Sequence, residues 1–358
     1  MIWDVAVIGS GPAGSAVAVH CRRAGLTTAI FTLPHRRLGS GIPETLPAAT
    51  RPLLEALGIG ERFDRVGLRE QYAMSSAWGS HSMTTRHSIC NPGGPGWFVD
   101  RSAFDAELNR QATKGGHVPV IQGRLASASR EGNHWLLWFQ VPGTSESVPV
   151  RTGVVVDATG RSSAFARRIP IRRTTFDRLI SVSARAVPRG SVAGEALVES
   201  AADGWWFSAL IPSGELSVSW FTEGDLLRPT DRSISVFEGR LRTTVHTGAR
   251  VANLLPADLT CRSARTDKLE VCGGSGWMAV GDAAVACDPL GSQGVKRALE
   301  SAAVASRIIV SNHTCDEQKV RAYDEFQLDY LQRFLRDRHL FYSMERRWPK
   351  APFWQRLG

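Results

Sequence analysis

Val5-Ala6-Val7-Ile8-Gly9-Ser10-Gly11-Pro12-Ala13-Gly14 is the stretch on which the reading of this chain turns. The apolar run that starts at Trp3 predicts a first strand, and the residues from 12 to about 24 predict a helix. Gly9-x-Gly11-x-x-Gly14 sits between them, where a dinucleotide fingerprint must sit. Gly9 permits the tight turn, Gly11 lets the backbone approach a pyrophosphate, and Gly14 allows the helix to pack closely on the strand. With Pro12 and Ala13 opening the helix, the pyrophosphate is expected on its N-terminus, where free N–H groups and the dipole favour negative charge. Thr27–Thr32 supplies the next strand and completes a β-turn-α-β unit.

One position departs from the fingerprint. The acidic residue that ordinarily ends the second strand and holds a ribose is replaced by Thr32, within Phe31-Thr32-Leu33-Pro34-His35-Arg36-Arg37. A hydroxyl makes a single hydrogen bond where a carboxylate grips two. Arg36 and Arg37 are the nearby cations that stand to compensate at phosphate or adenine.

Working outward, 358 residues allow two domains or one large fold with an insertion, and enough core that neither disulfides nor a metal is required. The six cysteines form no CxxC pair, and the nine histidines form no HxH or HxxxH pair. Free thiols, no metal and a cytoplasmic location are the expectation, since the start of the chain reads as a strand and not as a signal peptide. No apolar run is long enough to span a membrane. The net charge is +9, but only five of the 43 basic residues are lysines, leaving 38 scattered arginines. Scattered charge argues against a nucleic-acid partner and leaves room for an acidic protein or peptide.

Further along, residues 48–57 and 101–113 carry helical patterns. His134–Val141 and Val148–Val156 read as paired antiparallel strands. A strand-rich region covers about 178–222, with Ser213-Gly214 turning Gly204–Pro212 into Leu216–Phe221. After 277 come a strand, a Gly/Asp/Pro-rich loop, a helix over about 292–310, a helical tail over 316–345, and an aromatic, basic ending expected to pack onto the body of the fold. The expected fold is α/β. A discontinuous Rossmann-type domain takes 1–70, 98–175 and 270–311, an inserted antiparallel-sheet substrate domain takes 71–97 and 176–269, and C-terminal helices take 312–358.

Three later segments select among the dinucleotides. Val154-Val155-Val156-Asp157-Ala158-Thr159-Gly160 resembles the strand-plus-ATG segment that flavoproteins place beside the FAD pyrophosphate. Gly281-Asp282-Ala283-Ala284 resembles the motif whose Asp holds the ribityl chain. Asp288-Pro289-Leu290-Gly291-Ser292-Gln293-Gly294 resembles the loop that sets backbone N–H groups and a helix N-terminus against the flavin pyrimidine ring. In this order, behind an N-terminal GxGxxG, they imply FAD. Arg101, in Asp100-Arg101-Ser102-Ala103-Phe104-Asp105, matches the flavin-contacting arginine of the group containing aromatic hydroxylases, geranylgeranyl reductases and tryptophan halogenases.

A more particular resemblance is carried by Gly41-Ile42-Pro43-Glu44-Thr45-Leu46-Pro47 and by Glu345-Arg346-Arg347-Trp348-Pro349 with Pro352-Phe353-Trp354. These segments are similar to the LodB/GoxB-type flavoproteins of cysteine tryptophylquinone biogenesis. That resemblance implies an FAD-dependent monooxygenase that modifies an aromatic side chain, tryptophan first, in a peptide or precursor oxidase. It implies Glu44 as an active-site acid and substrate contacts at Trp205, Trp206 and Phe207. Electrons come from NAD(P)H or an external flavin reductase, there being no second GxGxxG. The alternatives are a small-molecule hydroxylase, halogenase or reductase of the same group, or a flavin-binding maturation chaperone. Halogenation is disfavoured because no lysine precedes Lys114 and GWxWxIP is only approximated by Gly204–Pro212.

Overall fold

The computed structural model describes residues 2–33, 44–60, 68–192, 194–256, 259–312, 315 and 317–357. Arg36 and Arg37 lie outside the described residues.

Val5–Val7 and Val154–Val156 are uninterrupted apolar runs buried on both faces, as the centre of a parallel sheet requires. The strands stand in the spatial order Gly273–Gly274, Trp277–Ala279, Ser147–Asp157, Ile2–Ile8, Thr28–Thr32, Val120–Gln122. Ile8 lies beside Phe31 on one side and Asp157 on the other, and Asp157 beside Ala279, all in parallel register. The glycine fingerprint after Ile8, the loop after Asp157, the turn at Gly281 and Thr32 therefore leave the sheet at one carboxyl edge, where open α/β sheets take their ligands.

Three helices accompany this sheet: α1 (Pro12–Arg23), α3 (Arg101–Ala112) and α6 (Gly294–Asn312), with α1 packed against both of the others. Between them in sequence comes α2 (Arg51–Ala56). The helical pattern over 48–57 divides into a 3-10 turn, Ala48–Thr50, and α2. Pro52 has no N–H, so it is accommodated in a first helical turn and not in an interior.

Strand Ser147–Asp157 makes the expected antiparallel pair and adds a parallel one. Its outer half pairs antiparallel with His134–Gln140, and its inner half enters the parallel sheet beside Ile2–Ile8. The change of partner coincides with the change from exposed residues to the buried Val154–Val156 run.

A second sheet runs Val251–Leu254, Leu179–Pro188, Leu216–Glu223, Gly204–Leu210, Glu195–Ala201, Ala73–Ala77, Thr84–His87, with Thr260–Ser263 also on Leu179–Pro188. Both faces are covered. Trp205, Phe207 and Ala209 belong to the core shared with Tyr342 and Trp354, while Trp206 and Leu210 pack on the opposite side with Phe237 of α4 (Ile234–Arg242). A short α5 (His246–Ala249) follows.

The C-terminal part forms α7 (Glu317–Ser343) and α8 (Pro352–Leu357). At 27 residues α7 is about 40 Å long. It reaches from the parallel sheet to the second sheet, where Tyr342, Phe353 and Trp354 are buried together. The aromatic ending packs onto the fold, with Trp354 donating its indole N–H to the Ala201 carbonyl at 2.9 Å. No helix among the described residues is long and apolar enough to cross a membrane.

Candidate active site

The glycine fingerprint is a cradle that side chains would fill. A Cβ on Gly9, whose φ is +108°, would lie 2.4 Å from the Ala158 carbonyl oxygen, and one on Gly14 would lie 2.0 Å from the Gly9 carbonyl oxygen. At Gly11 a Cβ would meet no atom of the described residues within 4 Å, leaving open space among them before the start of α1. Gly11 is the helix N-cap, and no side chain caps it, which leaves first-turn N–H groups for a ligand. Pro12 and Ala13 are buried in that first turn. Thr32 shares the cradle, its hydroxyl 2.9 Å from that of Ser10. Asn109 of α3, which the sequence did not single out, donates to the Ser10 carbonyl at 2.9 Å and steadies the turn.

Asp157 does not face the cradle. Its fully buried carboxylate accepts from the Thr159 amide and hydroxyl and from the amides of Phe165 and Ala166. Four donors at one carboxylate make it the tie that shapes the loop through Gly160, and this corrects the expectation of direct cofactor contact. Thr159 is held in the same knot, its hydroxyl oxygen also accepting from the Ala164 amide at 2.7 Å.

Asp282, by contrast, leaves the strand edge with its side chain 39% exposed, 3.5 Å from the Arg161 guanidinium. Arg173 secures its turn, donating to the carbonyls of Asp282 and Ala283 at 2.7 Å each. The backbone N–H of Gly281 donates to Ser301 on α6. Arg161, Arg173 and Ser301 are positioning residues with no motif to announce them.

Glu44 enters on a three-stranded sheet, Glu44–Leu46, Gly96–Val99 and Leu68–Gln71. That sheet delivers it to Arg101 at the start of α3, 2.5 Å away. Arg101 also grips Asp105 through two nitrogens, at 3.1 and 2.9 Å. Burial opposes the guanidinium charge, but Glu44 and Asp105 outweigh it and push the Arg101 pKa up. The expected acid is thus engaged in an Arg-centred triad.

Loop 288–294 reaches the surface, with Pro289, Gly291 and Gly294 exposed and Ser292 in the left-handed region at φ +50°. It hangs on Asp288, which is 4% exposed, accepts from the Leu290 amide at 2.8 Å and from the Tyr342 hydroxyl at 2.6 Å. Burial pushes the Asp288 carboxyl up to about 6, against these two hydrogen bonds. Trp205 completes the chain, its indole N–H donating to the Tyr342 oxygen at 2.9 Å. The Asp288 amide donates to the Thr266 hydroxyl, which also accepts from Arg338 of α7 at 3.0 Å.

Beside this loop opens a cleft of about 780 Å³ between α6, the far half of α7 and the second sheet, touching Leu290, Gly291 and Gln293. Met74, Trp78 and Val198 form its sheet wall, and Phe326, Tyr330 and Phe341 belong to its α7 wall. Trp205 and Trp206 are each 1% exposed and neither lines it. Trp205 stacks on Phe221 with centroids 3.8 Å apart, and Trp206 packs against Phe237 on the other face of the sheet. Phe207 does not line it either. The expectation of substrate contact at these three is corrected to core packing, with Trp205 also ordering the loop. Trp78, unnoticed in the sequence, is the tryptophan in the cleft wall.

Residues 3–336 match the FAD binding domain family. Over 99% of the chain and 96% of the relative, the sequence is 26% identical to the putative FAD-dependent oxidoreductase LodB of Marinomonas mediterranea. It is 25% identical to the tryptophan 2-halogenase of Chondromyces crocatus, over 93% of this chain and 66% of that one. The fold is similar to that of the peptidyl tryptophan dihydroxylase QhpG (TM-score 0.80, 22% identity, 99% of this chain, 78% of that one). It is also similar to the flavin-dependent halogenase CmlS (TM-score 0.85, 23% identity, 100% and 68%). The cradle at Gly9, Gly11 and Gly14, with Asp282 at the same sheet edge, fits the extended dinucleotide of the FAD binding domain family. FAD is the cofactor, and the chain belongs to the FAD binding domain family, as an FAD-dependent oxidoreductase of the halogenase and monooxygenase group.

Proposed function

We propose that this oxidoreductase is a monooxygenase that hydroxylates a tryptophan side chain within a peptide or precursor protein. The observation that carries this reading is the cleft at loop 288–294. The lining residues run from Gln293, just ahead of α6, to Arg307 on it. At 1.5 Å per residue that stripe is about 20 Å long, and an extended chain at about 3.3 Å per residue would lay roughly six residues along it. A groove of that length suits a segment of polypeptide better than a single free ring. The likeness to LodB along the whole chain and the fold shared with QhpG, a peptidyl tryptophan dihydroxylase by name, support the same direction.

Bound FAD supplies the redox chemistry: it stores the two electrons with which dioxygen is activated. Gly9, Gly11 and Gly14 would hold its pyrophosphate, Asp282 its ribityl chain, and the exposed turn from Pro289 to Gly294 its ring. The remaining work belongs to the chain's side chains. Trp78, Met74 and Val198 offer an apolar wall that orients an indole and keeps water from it. Tyr342 and Asp288 hold the loop to α7, so that ring and substrate meet in one register. One oxygen atom enters the indole and the other leaves as water, with two electrons drawn from NAD(P)H or an external flavin reductase.

The test is oxygen consumption by the reduced holoenzyme with a tryptophan-bearing precursor peptide, followed by mass spectrometry of the peptide. Peptide-dependent uptake and a mass gain of oxygen at tryptophan are expected. Binding without uptake would instead favour a maturation chaperone, and uptake with free indoles or phenols alone a small-molecule hydroxylase.

A further inference from the structure

Among the described residues, the cleft wall holds one ion pair with both members in it. Lys296 and Glu300 of α6 line the cleft and are joined, Nζ to Oε1, at 2.6 Å. The acids paired with Arg333 and Arg338 of the same wall, Asp329 and Asp177, do not line it. Both members of the pair stay partly accessible, their side chains 23% and 32% exposed. The second oxygen of Glu300, Oε2, takes no hydrogen bond among the described residues. Helix stability does not call for this arrangement. A cation in the first turn is opposed by the helix dipole, and lysine four residues before glutamate is the weaker order of such a pair. Lysine is also scarce in this chain, five of its 43 basic residues. Glu300 stands six residues beyond Gly294, about 9 Å along α6 from the loop against which the flavin ring is expected. Tyr330, in the same wall, has its hydroxyl pKa pushed up by burial first, then by Cys287, Glu300 and Asp282, so the charges of Glu300 and of the cofactor-side Asp282 act on one group.

We propose that Glu300 is a catalytic residue, the acceptor of the proton that the hydroxylated indole carbon gives up, and that Lys296 is its positioning residue. This rests on the monooxygenase reading above and adds the base that completes it. When a C–O bond forms at a ring carbon, that carbon carries both the oxygen and its original hydrogen. The C–H electron pair then returns to the ring and restores aromaticity, and the proton passes to the Glu300 carboxylate. The oxygen comes from dioxygen and the two electrons from the donor already named, so this step moves a proton and nothing else. Lys296 occupies Oε1 and fixes the carboxylate, which leaves Oε2 for the substrate.

The test compares the native holoenzyme with Glu300→Gln on a tryptophan peptide, with and without deuterium on the indole ring. The variant's kcat for hydroxylation is expected to be lower by at least about a hundred-fold, the low end of a general base's contribution, with KM and FAD affinity unchanged. Ring deuterium is expected to slow the variant and not the native enzyme, because proton loss becomes the limiting step. Glu300→Ala is expected to recover part of the rate when formate is added, which a merely structural glutamate would not show, and it serves if the glutamine variant does not fold. Lys296→Met is expected to lower kcat, and Lys296→Arg, which keeps a cation there, to restore it. A native kcat in Glu300→Gln overturns the proposal and leaves the monooxygenase reading standing. A loss that appears as weaker peptide or FAD binding, with no isotope effect, overturns it as well. If the native enzyme hydroxylates free indole and leaves the peptide untouched, the peptide reading falls, and the same comparison on indole decides Glu300.

Discussion

The Tyr342 hydroxyl donates to the Asp288 carboxylate at 2.6 Å, joining the last turn of α7 to the first residue of the loop against which the flavin ring is expected. These residues are 54 positions apart in the chain, and both are buried. The bond ties α7 to that loop, although none of the flavin motifs lies on this helix.

Tyr342→Phe removes the donor to Asp288 and the acceptor of the Trp205 indole N–H together. Two buried polar groups lose their partner in an otherwise unchanged shape, at a cost of about 1–3 kcal/mol each. Urea unfolding is expected to register a loss in that range, and the flavin absorbance bands of the holoenzyme to shift as the loop loosens. An unchanged midpoint and spectrum would count against the coupling.

The pH dependence of stability follows from the sign of the Asp288 shift. Burial raises its carboxyl to about 6 from an ordinary value of 3.8, so the folded state holds this proton more tightly than the unfolded one. Its favourable contribution is present below the unfolded value and is lost as pH rises through about 6, and the two-unit difference corresponds to roughly 3 kcal/mol. Asp288→Asn cannot titrate. Measured between pH 4 and 6, the stability difference between native and variant proteins is expected to fall with rising pH. A flat difference would show that the carboxyl is not perturbed in solution.

Gly9→Ala places a methyl 2.4 Å from the Ala158 carbonyl oxygen, at a φ of +108° that L residues rarely adopt. The variant is expected to purify colourless and to take up FAD at least about a hundred-fold more weakly than the native protein. Gly11→Ala meets no atom of the described residues within 4 Å. Its folding is expected to be intact, so any loss of FAD affinity there reports crowding of the cofactor alone. Absorbance titration with FAD reads both.

Thr32 stands within the cradle, hydrogen-bonded to Ser10, where the fingerprint ordinarily supplies a carboxylate. Thr32→Glu offers two acceptor oxygens to a ribose in place of one hydroxyl. An increase in FAD affinity of about ten-fold is expected from fluorescence-quenching titration. No increase would mean that the ribose is held elsewhere.

Local pattern was enough for part of the site. Gly9, Gly11 and Gly14 are required by backbone geometry, which depends on a few consecutive residues, and the motifs at 157–160, 281–284 and 288–294 arrive with their strands and loops. Asp157 illustrates the limit. An acidic residue after a valine run looks like a ligand, but its carboxylate is consumed by Thr159, Phe165 and Ala166, a fact visible only once the loop is closed. Trp205 and Trp206 illustrate another. Alternation on a strand predicts that they face opposite ways, not which cores receive them.

The chain's own order of residues thus determined the cofactor, the Rossmann-type β-turn-α-β unit and the strand–loop–helix run that carries Asp288 and Gly294, because each is encoded by neighbours in sequence. Tertiary structure decided the rest: Tyr342 on Asp288, Arg173 beneath Asp282 and Trp78 in the cleft wall. Those relationships join residues far apart in the chain. They follow from how α6, α7 and the second sheet pack, and that packing is a collective property of burial to which no single segment contributes a readable signature.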